Sequence, residues 1–291
     1  MLHRIRNRDF RGWVHPGLNC DLSRPFSSEF HQKINASGES VLHCRGRDIY
    51  RVPLEFEGRP VSCFLYFFRN TSLSRAFRQS PARSIMKISE KIRGSGFPSI
   101  EVLAAIRPTG ELLNWNSLLI VREIPNVREL PARGNHVYRV HEEVEFSRAV
   151  ADRTAEELAR FHDAGFYHGD LKSRHILVSG PQDSPSRITF VDLEKAAFIR
   201  FLPFFYRDLL AARDLVQMLS SLPEPEQDAP LENRKTEFLS TYLSRRKAGE
   251  FRLSITRKAV GLYLDKGSLR QGETVLQAII RGLKQRFAGK E

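Results

Sequence analysis

The segment YHGDLKSRHILV, residues 167–178, places Asp170 and Lys172 together with two histidines within eight positions, and apolar residues border it. It follows FSRAVADRTAEELARFHDAG, residues 146–165, whose apolar side chains recur at helical spacing and whose last glycine suits a C-terminal cap. After it, the segments ILVS and ITFVD flank the turn-forming GPQDSPSR and predict a β-hairpin that ends at Asp192. The sequence therefore predicts a helix, a polar loop and a hairpin in this order.

The predicted hairpin brings two carboxylates and a lysine together. Asp170 and Asp192 fall at the ends of neighbouring strands, and Lys172 lies between them in the sequence. One carboxylate can orient an attacking hydroxyl and accept its proton, while the other holds Mg²⁺ against phosphates. The lysine can neutralise charge on the transferring group. This pattern favours phosphoryl transfer.

A zinc site formed by His162, His168 and His175 is the alternative for the same stretch. The sequence contains no H-E-x-x-H motif, and zinc leaves the residues around Asp170 without a role. We therefore favour phosphoryl transfer and keep zinc as the second interpretation.

The region before this segment is rich in predicted strands. Alternating segments are separated by Gly46 and by Gly58-Arg59-Pro60, which predicts an antiparallel meander. A helix is predicted from Pro81 to Gly94, because isoleucines recur at helical spacing before the sequence GSGFP ends the pattern. The predicted strands cover residues 40–45, 48–56, 61–68, 99–106 and 116–124. The order of elements predicts a small strand-rich part followed by a largely helical part.

The charge of the chain restricts its partners. Forty-six lysines and arginines against 34 acidic residues give a net charge of +12, which suits nucleic acid, an anionic membrane surface or a negatively charged substrate. No nucleic-acid-binding motif accompanies this charge, so we expect no nucleic-acid partner. No apolar run approaches the roughly 18–20 residues of a membrane-spanning helix. The basic start lacks the apolar segment of a secretory signal, so we expect the chain to stay inside the cell.

The sequence HGDLKSRH followed by FVDLEKA resembles the catalytic segment of protein-kinase-like folds, with its H-x-D-x-x-x-x-N and D-F-G patterns. More narrowly, it is similar to the Kdo/WaaP family of lipopolysaccharide kinases. His175 stands where most kinases have asparagine, and VDLEKA lacks the glycine of D-F-G. The later ARDLVQML, with Asp214, is similar to that family's R-D-L helix, whose aspartate stabilises the catalytic loop.

The resemblance implies an α+β, two-lobed protein-kinase-like fold. Residues 1–124 would form a small antiparallel-sheet lobe with one helix that covers the nucleotide. Residues 125–291 would form a mostly helical lobe that carries the catalytic loop and the metal-binding segment.

The resemblance also implies roles for individual residues. Asp170 would be the catalytic base, Lys172 the γ-phosphate contact, Asp192 the Mg²⁺ ligand and His175 the second residue on the metal side. His168 is expected to be structural, with its ring bonded to backbone carbonyls. A glycine precedes Asp170 where most kinases have an arginine that pairs with a phosphorylated activation loop, which implies a kinase that is not switched in that way.

The predicted small lobe departs from the kinase pattern. Backbone groups of Glu123 and Ile124 would bind adenine, yet Tyr66 stands where a kinase has the strand lysine that contacts the phosphates. Neither the partner glutamate nor a G-x-G-x-x-G loop is evident. Arg69, or a lysine of the following helix, would supply the missing positive charge to ATP.

Two functions remain open at this point. The first is a kinase that uses ATP and Mg²⁺ to phosphorylate a sugar hydroxyl, on Kdo or heptose, of the lipopolysaccharide core or Kdo-lipid A at the cytoplasmic face of the inner membrane. The second is a pseudokinase that regulates or scaffolds. Residues 196–213 mix phenylalanines with arginines, either as a surface for anionic lipid headgroups or as core aromatics with solvated arginines. We favour the core interpretation for this segment.

Overall fold

The computed structural model describes residues 2–22, 25–44, 46–69, 79–109, 116–133, 141–223 and 230–250, together with 252–254, 256, 257 and 260. Over these residues the chain divides into two units. The first unit comprises the described residues up to Pro125, except Ser95–Pro98, and the second comprises those four and the described residues after Pro125.

The first unit is built on an antiparallel sheet. Seven strands follow the order β1-β2-β7-β8-β6-β5-β3, and β4 pairs with β5. The strands are β1 (His3–Arg6), β2 (Phe10–Val14), β3 (Leu18–Asn19), β4 (Glu39–Cys44), β5 (Arg47–Phe56), β6 (Arg59–Arg69), β7 (Glu101–Pro108) and β8 (Asn116–Arg122). The helices described beside the sheet are α1 (Ser28–Ser37) and α2 (Pro81–Gly94).

The predicted meander and helix of this unit are confirmed. β4, β5 and β6 are successive antiparallel neighbours, and α2 has the predicted bounds. Gly46 and Gly58 occupy the turns with φ of 104° and 74°, a conformation that glycine adopts at little cost.

The prediction of one helix in this unit was incomplete, because α1 is also present. Ser27 accepts a hydrogen bond from the backbone N–H of Phe30 and begins α1, which buries Phe30 and Ile34. With two buried residues in ten, its apolar periodicity is too weak to be detected from sequence.

Strand β6 presents alternate residues to opposite faces of the sheet. Phe67 packs against α1, with ring centroids 6.2 Å from Phe30 and 4.2 Å from His31. Because side chains alternate along a strand, Leu65 and Arg69 share the face of Phe67, whereas Tyr66 belongs to the other face. Tyr66 stacks on its neighbour Phe68 instead, with a centroid separation of 6.1 Å.

The second unit combines short strands with helices. The strands β9 (Val127–Glu129), β11 (Ile176–Ser179) and β12 (Arg187–Phe190) form a three-stranded sheet, and β10 (Phe166–Tyr167) pairs with β13 (Ala197–Phe198). The helices are α3 (Arg148–Asp163), α4 (Phe204–Ser221) and α5 (Pro230–Arg245). Single turns of 3₁₀-helix span Ser173–His175 and Leu193–Lys195. The predicted hairpin is confirmed by the antiparallel register of β11 and β12, from Ile176 opposite Phe190 to Ser179 opposite Arg187.

Helix α3 forms as its periodicity predicted. Val150, Thr154, Leu158 and Phe161 are buried along one face. Gly165 follows the helix with φ of 92°, as a C-terminal capping glycine does. The helix packs against α5 and delivers the chain to β10, directly before the HGD sequence.

The core interpretation of residues 196–213 was wrong for four of its five aromatic residues, whereas the fifth, Phe198, is half-buried and packs against Phe166 with ring centroids 5.0 Å apart. Phe201, Phe204, Phe205 and Tyr206 are exposed, and Leu202 beside them is exposed as well. Among the described residues, no helix combines the length and apolarity needed to cross a lipid bilayer.

Candidate active site

The loop that carries Asp170 is held by a buried carboxylate from α4. Asp214, with no exposed surface, accepts hydrogen bonds from the backbone N–H groups of His168 at 2.6 Å and Gly169 at 2.9 Å. Hydrogen bonds to a charged group each contribute about 1.5–3 kcal/mol. Asp214 therefore stabilises the loop as the sequence resemblance implied.

A buried network keeps Asp214 ionised. Burial raises the pKa of Asp214, but the hydrogen bond from His162 and the nearby backbone donors outweigh burial and hold the pKa below its usual value. Burial lowers the pKa of His162, so its imidazole is neutral. Its Nε2–H donates to Asp214 at 3.3 Å, and Nδ1 accepts from the hydroxyl of Tyr242 at 2.7 Å.

The zinc interpretation gains no support from this arrangement. His162 is engaged by Asp214 and Tyr242, while His168 donates from Nε2 to the carbonyl of Val191 at 2.7 Å. Within the described parts of the chain, no group of three or more histidine, cysteine or acidic side chains is placed to hold a metal ion. The expected structural role of His168 is confirmed.

Asp170 lies between two lysines. The ammonium of Lys195 donates to Asp170 Oδ2 at 2.8 Å, and that of Lys172 lies 3.5 Å from Oδ1. Burial raises the pKa of Asp170, but the hydrogen bond from Lys195 and the charge of Lys172 outweigh it, so the pKa lies below its ordinary value. The carboxylate is therefore ionised at neutral pH and able to accept a hydrogen bond from a hydroxyl.

Gly169 has a backbone that excludes a side chain. Its φ is 80°, and a Cβ built there would lie 2.5 Å from the carbonyl oxygen of Lys195 and 2.8 Å from the guanidinium of Arg213. A backbone oxygen has little freedom to move away. This close approach explains why glycine occupies the position where most kinases have arginine.

His175 and Asp192 form the second part of the site. His175 Nδ1–H donates to the carbonyl of Asp170 at 2.9 Å, and Nε2 lies 3.5 Å from Asp192 Oδ2. Burial lowers the pKa of His175 to about 4, so the imidazole is neutral at physiological pH, and Arg174 donates to its Nε2 at 3.3 Å. Asp192 has a φ of 58°, which is uncommon for a residue with a side chain and typical of functional sites.

The donor set at this position fits a magnesium ion carried by a nucleotide. Mg²⁺ prefers oxygen ligands and is usually bound through one or two carboxylates plus phosphates and water. Asp192 meets this preference, and the neutral nitrogen of His175 is a weaker match.

The model of the lipopolysaccharide kinase (Kdo/WaaP) family matches residues 67–242, which is more than half of the chain. The chain belongs to this family. Among solved structures, the one titled "WaaP in complex with acyl carrier protein" is similar, with a TM-score of 0.51 and 18% sequence identity over 87% of this chain and 91% of that chain. At this identity the likeness concerns the fold, and it agrees with a kinase-like fold. A comparison with curated protein sequences finds no match.

The residues predicted to bind the nucleotide, Glu123, Ile124 and Arg69, lie in the first unit. The carboxylate of Glu123 pairs with Arg51 at 2.7 and 3.0 Å, and its backbone N–H donates to the carbonyl of Ser62 at 2.9 Å. Ile124 follows the end of β8 and is partly buried. The carboxylate and the backbone N–H of Glu123 are therefore both engaged within the first unit.

Arg69 is engaged within the first unit. At the end of β6 its guanidinium donates to the buried carboxylate of Asp48, and it lines a cavity of about 550 Å³ together with His31 and Tyr50. The structure thus brings Asp170, Lys172, His175 and Asp192 into one cluster, and it describes Glu123, Ile124 and Arg69 in the other unit.

Lys195 was not identified as a site residue from the sequence. The residue belongs to the quoted VDLEKA motif, but no role was assigned to it. A basic residue three positions after Asp192 was the available signal. Its meaning depends on the 3₁₀ turn Leu193–Lys195, which returns the side chain to a carboxylate 25 positions earlier in the sequence.

Proposed function

We propose that the protein is an ATP- and Mg²⁺-dependent kinase that phosphorylates a sugar hydroxyl of the lipopolysaccharide inner core, on Kdo or heptose. Family membership supports a lipopolysaccharide core kinase in general. The observation that carries the specific proposal is the ionised carboxylate of Asp170, held between Lys172 and Lys195 on a loop that Asp214 stabilises.

In this proposal Asp170 accepts a hydrogen bond from the acceptor hydroxyl and takes its proton as the phosphoryl group is transferred. Phosphoryl transfer proceeds through a loose transition state, so positioning and charge stabilisation supply most of the catalysis. Lys172 and Lys195 are within 3.5 Å of the Asp170 carboxylate, where a hydroxyl and the γ-phosphate would meet. Their ammonium groups would stabilise negative charge on the transferring phosphoryl oxygens.

Asp192 would hold Mg²⁺, with His175 as its neighbour on the metal side. When bound, the ion neutralises the phosphate charge of the nucleotide. His175 orients the loop in addition, because its Nδ1–H donates to the carbonyl of Asp170. The role beside the metal needs a neutral imidazole with a lone pair on Nε2, and the low pKa of His175 supplies one at physiological pH.

For the nucleotide, we propose that adenine binds to the backbone at Glu123 and Ile124. Arg69 lies on the face of β6 opposite Tyr66, so it would contribute to phosphate binding only if the nucleotide drew its guanidinium away from Asp48. Tyr66 stands at the expected strand-lysine position, and the cations beside Asp170 are Lys172 and Lys195.

The proposed acceptor is lipopolysaccharide core or Kdo-lipid A, both of which are anchored in a bilayer. We therefore propose that the protein acts as a peripheral protein on the anionic cytoplasmic face of the inner membrane. The net charge of +12 supports attraction to that surface.

One observation favours a second candidate, a pseudokinase. Tyr66 lies within β6 opposite Ile49 and Leu119 and stacks on Phe68, so no cation stands at the strand-lysine position. A module that only binds partners would tolerate this replacement.

The test is transfer of labelled γ-phosphate from ATP to lipopolysaccharide core extracts. The wild type is compared with Asp170→Asn and with Asp183→Asn, which makes the same charge change at an exposed turn residue. We expect label in the lipid fraction for the wild type and for Asp183→Asn, and a rate lower by about 10²–10⁴ for Asp170→Asn. Equal rates for all three would exclude Asp170 as the base. No label from the wild type, in extracts where another kinase of this family succeeds, would favour the pseudokinase.

A further inference from the structure

The start of α4 and the residues before it form an apolar surface, which we call the aromatic patch. It consists of Phe201, Leu202, Phe204, Phe205 and Tyr206, whose exposed fractions are 93%, 42%, 46%, 41% and 50%. Single exposed apolar side chains are ordinary, but a contiguous cluster of large ones marks a site of interaction. The aromatic patch is therefore a candidate binding surface.

The aromatic patch projects from the protein surface. Phe201 is almost fully exposed, and the ring centroids of Phe205 and Tyr206 lie 4.0 Å apart, so these two rings pack on each other. The helix that carries them is packed into the protein, because Leu209 and Ala212 of α4 are buried one to two turns further along. The exposed rings thus lie at the start of a helix whose following turns are packed into the protein.

The charge of the segment that carries the aromatic patch is positive. Residues 199–207 contain Arg200 and Arg207 and no acidic side chain. The next acidic residue, Asp208, is buried and paired with Arg246 at 3.3 Å and Arg252 at 2.8 Å, so its charge is neutralised. The surface that solvent meets therefore joins aromatic rings to arginines, a composition suited to the boundary of an anionic bilayer.

The aromatic patch and the catalytic loop are connected through one strand pair. β10 ends three residues before Asp170, and β13, its partner, ends three residues before Phe201. The backbone N–H of Ile199 also donates to the carbonyl of Gly165 at 2.9 Å, and Arg207 donates to the hydroxyl of Tyr167 at 3.4 Å. The segment that carries the aromatic patch is thus bonded to the segment that leads into the loop of Asp170.

We propose that the aromatic patch docks onto the surface of an anionic lipid bilayer. Its rings enter the boundary between headgroups and acyl chains, and Arg200 and Arg207 contact lipid phosphates. A protein partner needs a complementary surface of roughly 800 Å² on each side. A projecting ring such as Phe201 enters a fluid bilayer with no such pocket, so a lipid occupant suits the shape better.

The inference rests on the proposed function in one respect. A lipid-anchored acceptor sugar would lie on the same bilayer surface as the aromatic patch, which would present its hydroxyl to the loop of Asp170. Binding to lipid needs neither ATP nor turnover, so the docking and the kinase activity can be tested separately.

The test is cosedimentation of the full chain, without nucleotide, with vesicles of phosphatidylcholine alone or mixed with phosphatidylglycerol. The variant carries Phe201→Asp and Phe205→Asp. A matched control carries Ser184→Asp and Ser220→Asp, which add the same two charges at exposed positions, Ser220 lying about 24 Å along α4 from the start of the helix. Because all four positions are exposed, we expect unchanged thermal unfolding, and Phe201→Ser alone serves as a milder second variant.

We expect the wild type and the matched control to bind the mixed vesicles, and the patch variant to lose roughly tenfold or more in affinity. Binding should weaken as salt is added. The docking proposal is overturned if the wild type binds neither vesicle, or if the patch variant binds as the control does. It is also overturned if the aromatic patch instead captures an acyl carrier protein or a second copy of this chain, measured by sedimentation without vesicles. If the wild type binds both kinds of vesicle equally well, the proposed preference for anionic lipid, and with it the role of Arg200 and Arg207, is wrong.

A further comparison separates docking from catalysis. Where the kinase is active, the patch variant should phosphorylate a soluble core oligosaccharide at the wild-type rate and vesicle-embedded lipopolysaccharide more slowly. If the wild type binds vesicles through the aromatic patch but transfers no phosphate, the docking stands and the proposed function falls.

Discussion

Replacing Gly169 with alanine tests whether the catalytic loop has room for any side chain. The φ of 80° is a left-handed conformation, which costs an L-residue with a side chain about 1–2 kcal/mol. The added Cβ also meets the carbonyl oxygen of Lys195 at 2.5 Å, and relieving such an overlap by moving backbone costs about 1–3 kcal/mol. We expect Gly169→Ala to destabilise the loop by about 2–5 kcal/mol in total.

The assay is hydrogen exchange at the backbone amide of His168, which is protected by its bond to Asp214. A loss of at least 2 kcal/mol speeds exchange about 30-fold or more. Turnover should fall as well, since a displacement of 1 Å at a catalytic group costs about 10²-fold in rate.

Gly94→Ala is the matched control. This glycine ends α2 with no atom within 4 Å of an added Cβ and no positive φ, so alanine should be neutral or slightly stabilising there. If Gly169→Ala matched Gly94→Ala in turnover and left the exchange at His168 unchanged, the steric argument for this glycine would be wrong.

Two further predictions concern pH. Lys195→Met removes the hydrogen bond that lowers the pKa of Asp170, so this pKa should rise. The acid limb of the pH profile of kcat/KM should then move to higher pH. An acid limb that does not move would contradict the Lys195–Asp170 pair. His175 has a folded-state pKa of about 4 against an ordinary 6.5, so the unfolded chain takes up its proton first and stability falls by about 3 kcal/mol as pH drops from 6.5 to 4. In His175→Asn, the midpoint of urea unfolding should fall less between pH 6.5 and pH 4 than it does in the wild type. If the midpoint falls equally in both proteins, His175 is not a buried neutral imidazole.

Local pattern was sufficient for much of the fold. The periodicity of Val150, Thr154, Leu158 and Phe161 predicted α3, and the turn sequence GPQDSPSR predicted the hairpin of β11 and β12, because in both cases the residues that decide the element are neighbours in sequence. The same argument failed for α1, where two buried residues leave almost no periodic signal.

The candidate site divides in the same way. The motif around Asp170 and Asp192 indicated the chemistry, because such residue types are contiguous within short segments. The resemblance also supplied Asp214, which holds the loop from 45 positions beyond Gly169. The partner that sets the state of Asp170, Lys195, lies 25 positions away and was not assigned from the sequence. No local pattern encodes which of several lysines reaches a particular carboxylate.

The sequence by itself thus determined the family resemblance, the strand meander, α2, α3 and the cluster of charged residues that suits phosphoryl transfer. Tertiary structure decided which side chains meet and which face solvent. The phenylalanines of residues 201–205 show the difference, since their apolar composition suited a core and their exposure depends on whether another element covers them. Burial follows from packing between distant segments, whereas hydrophobicity is a property of each residue alone.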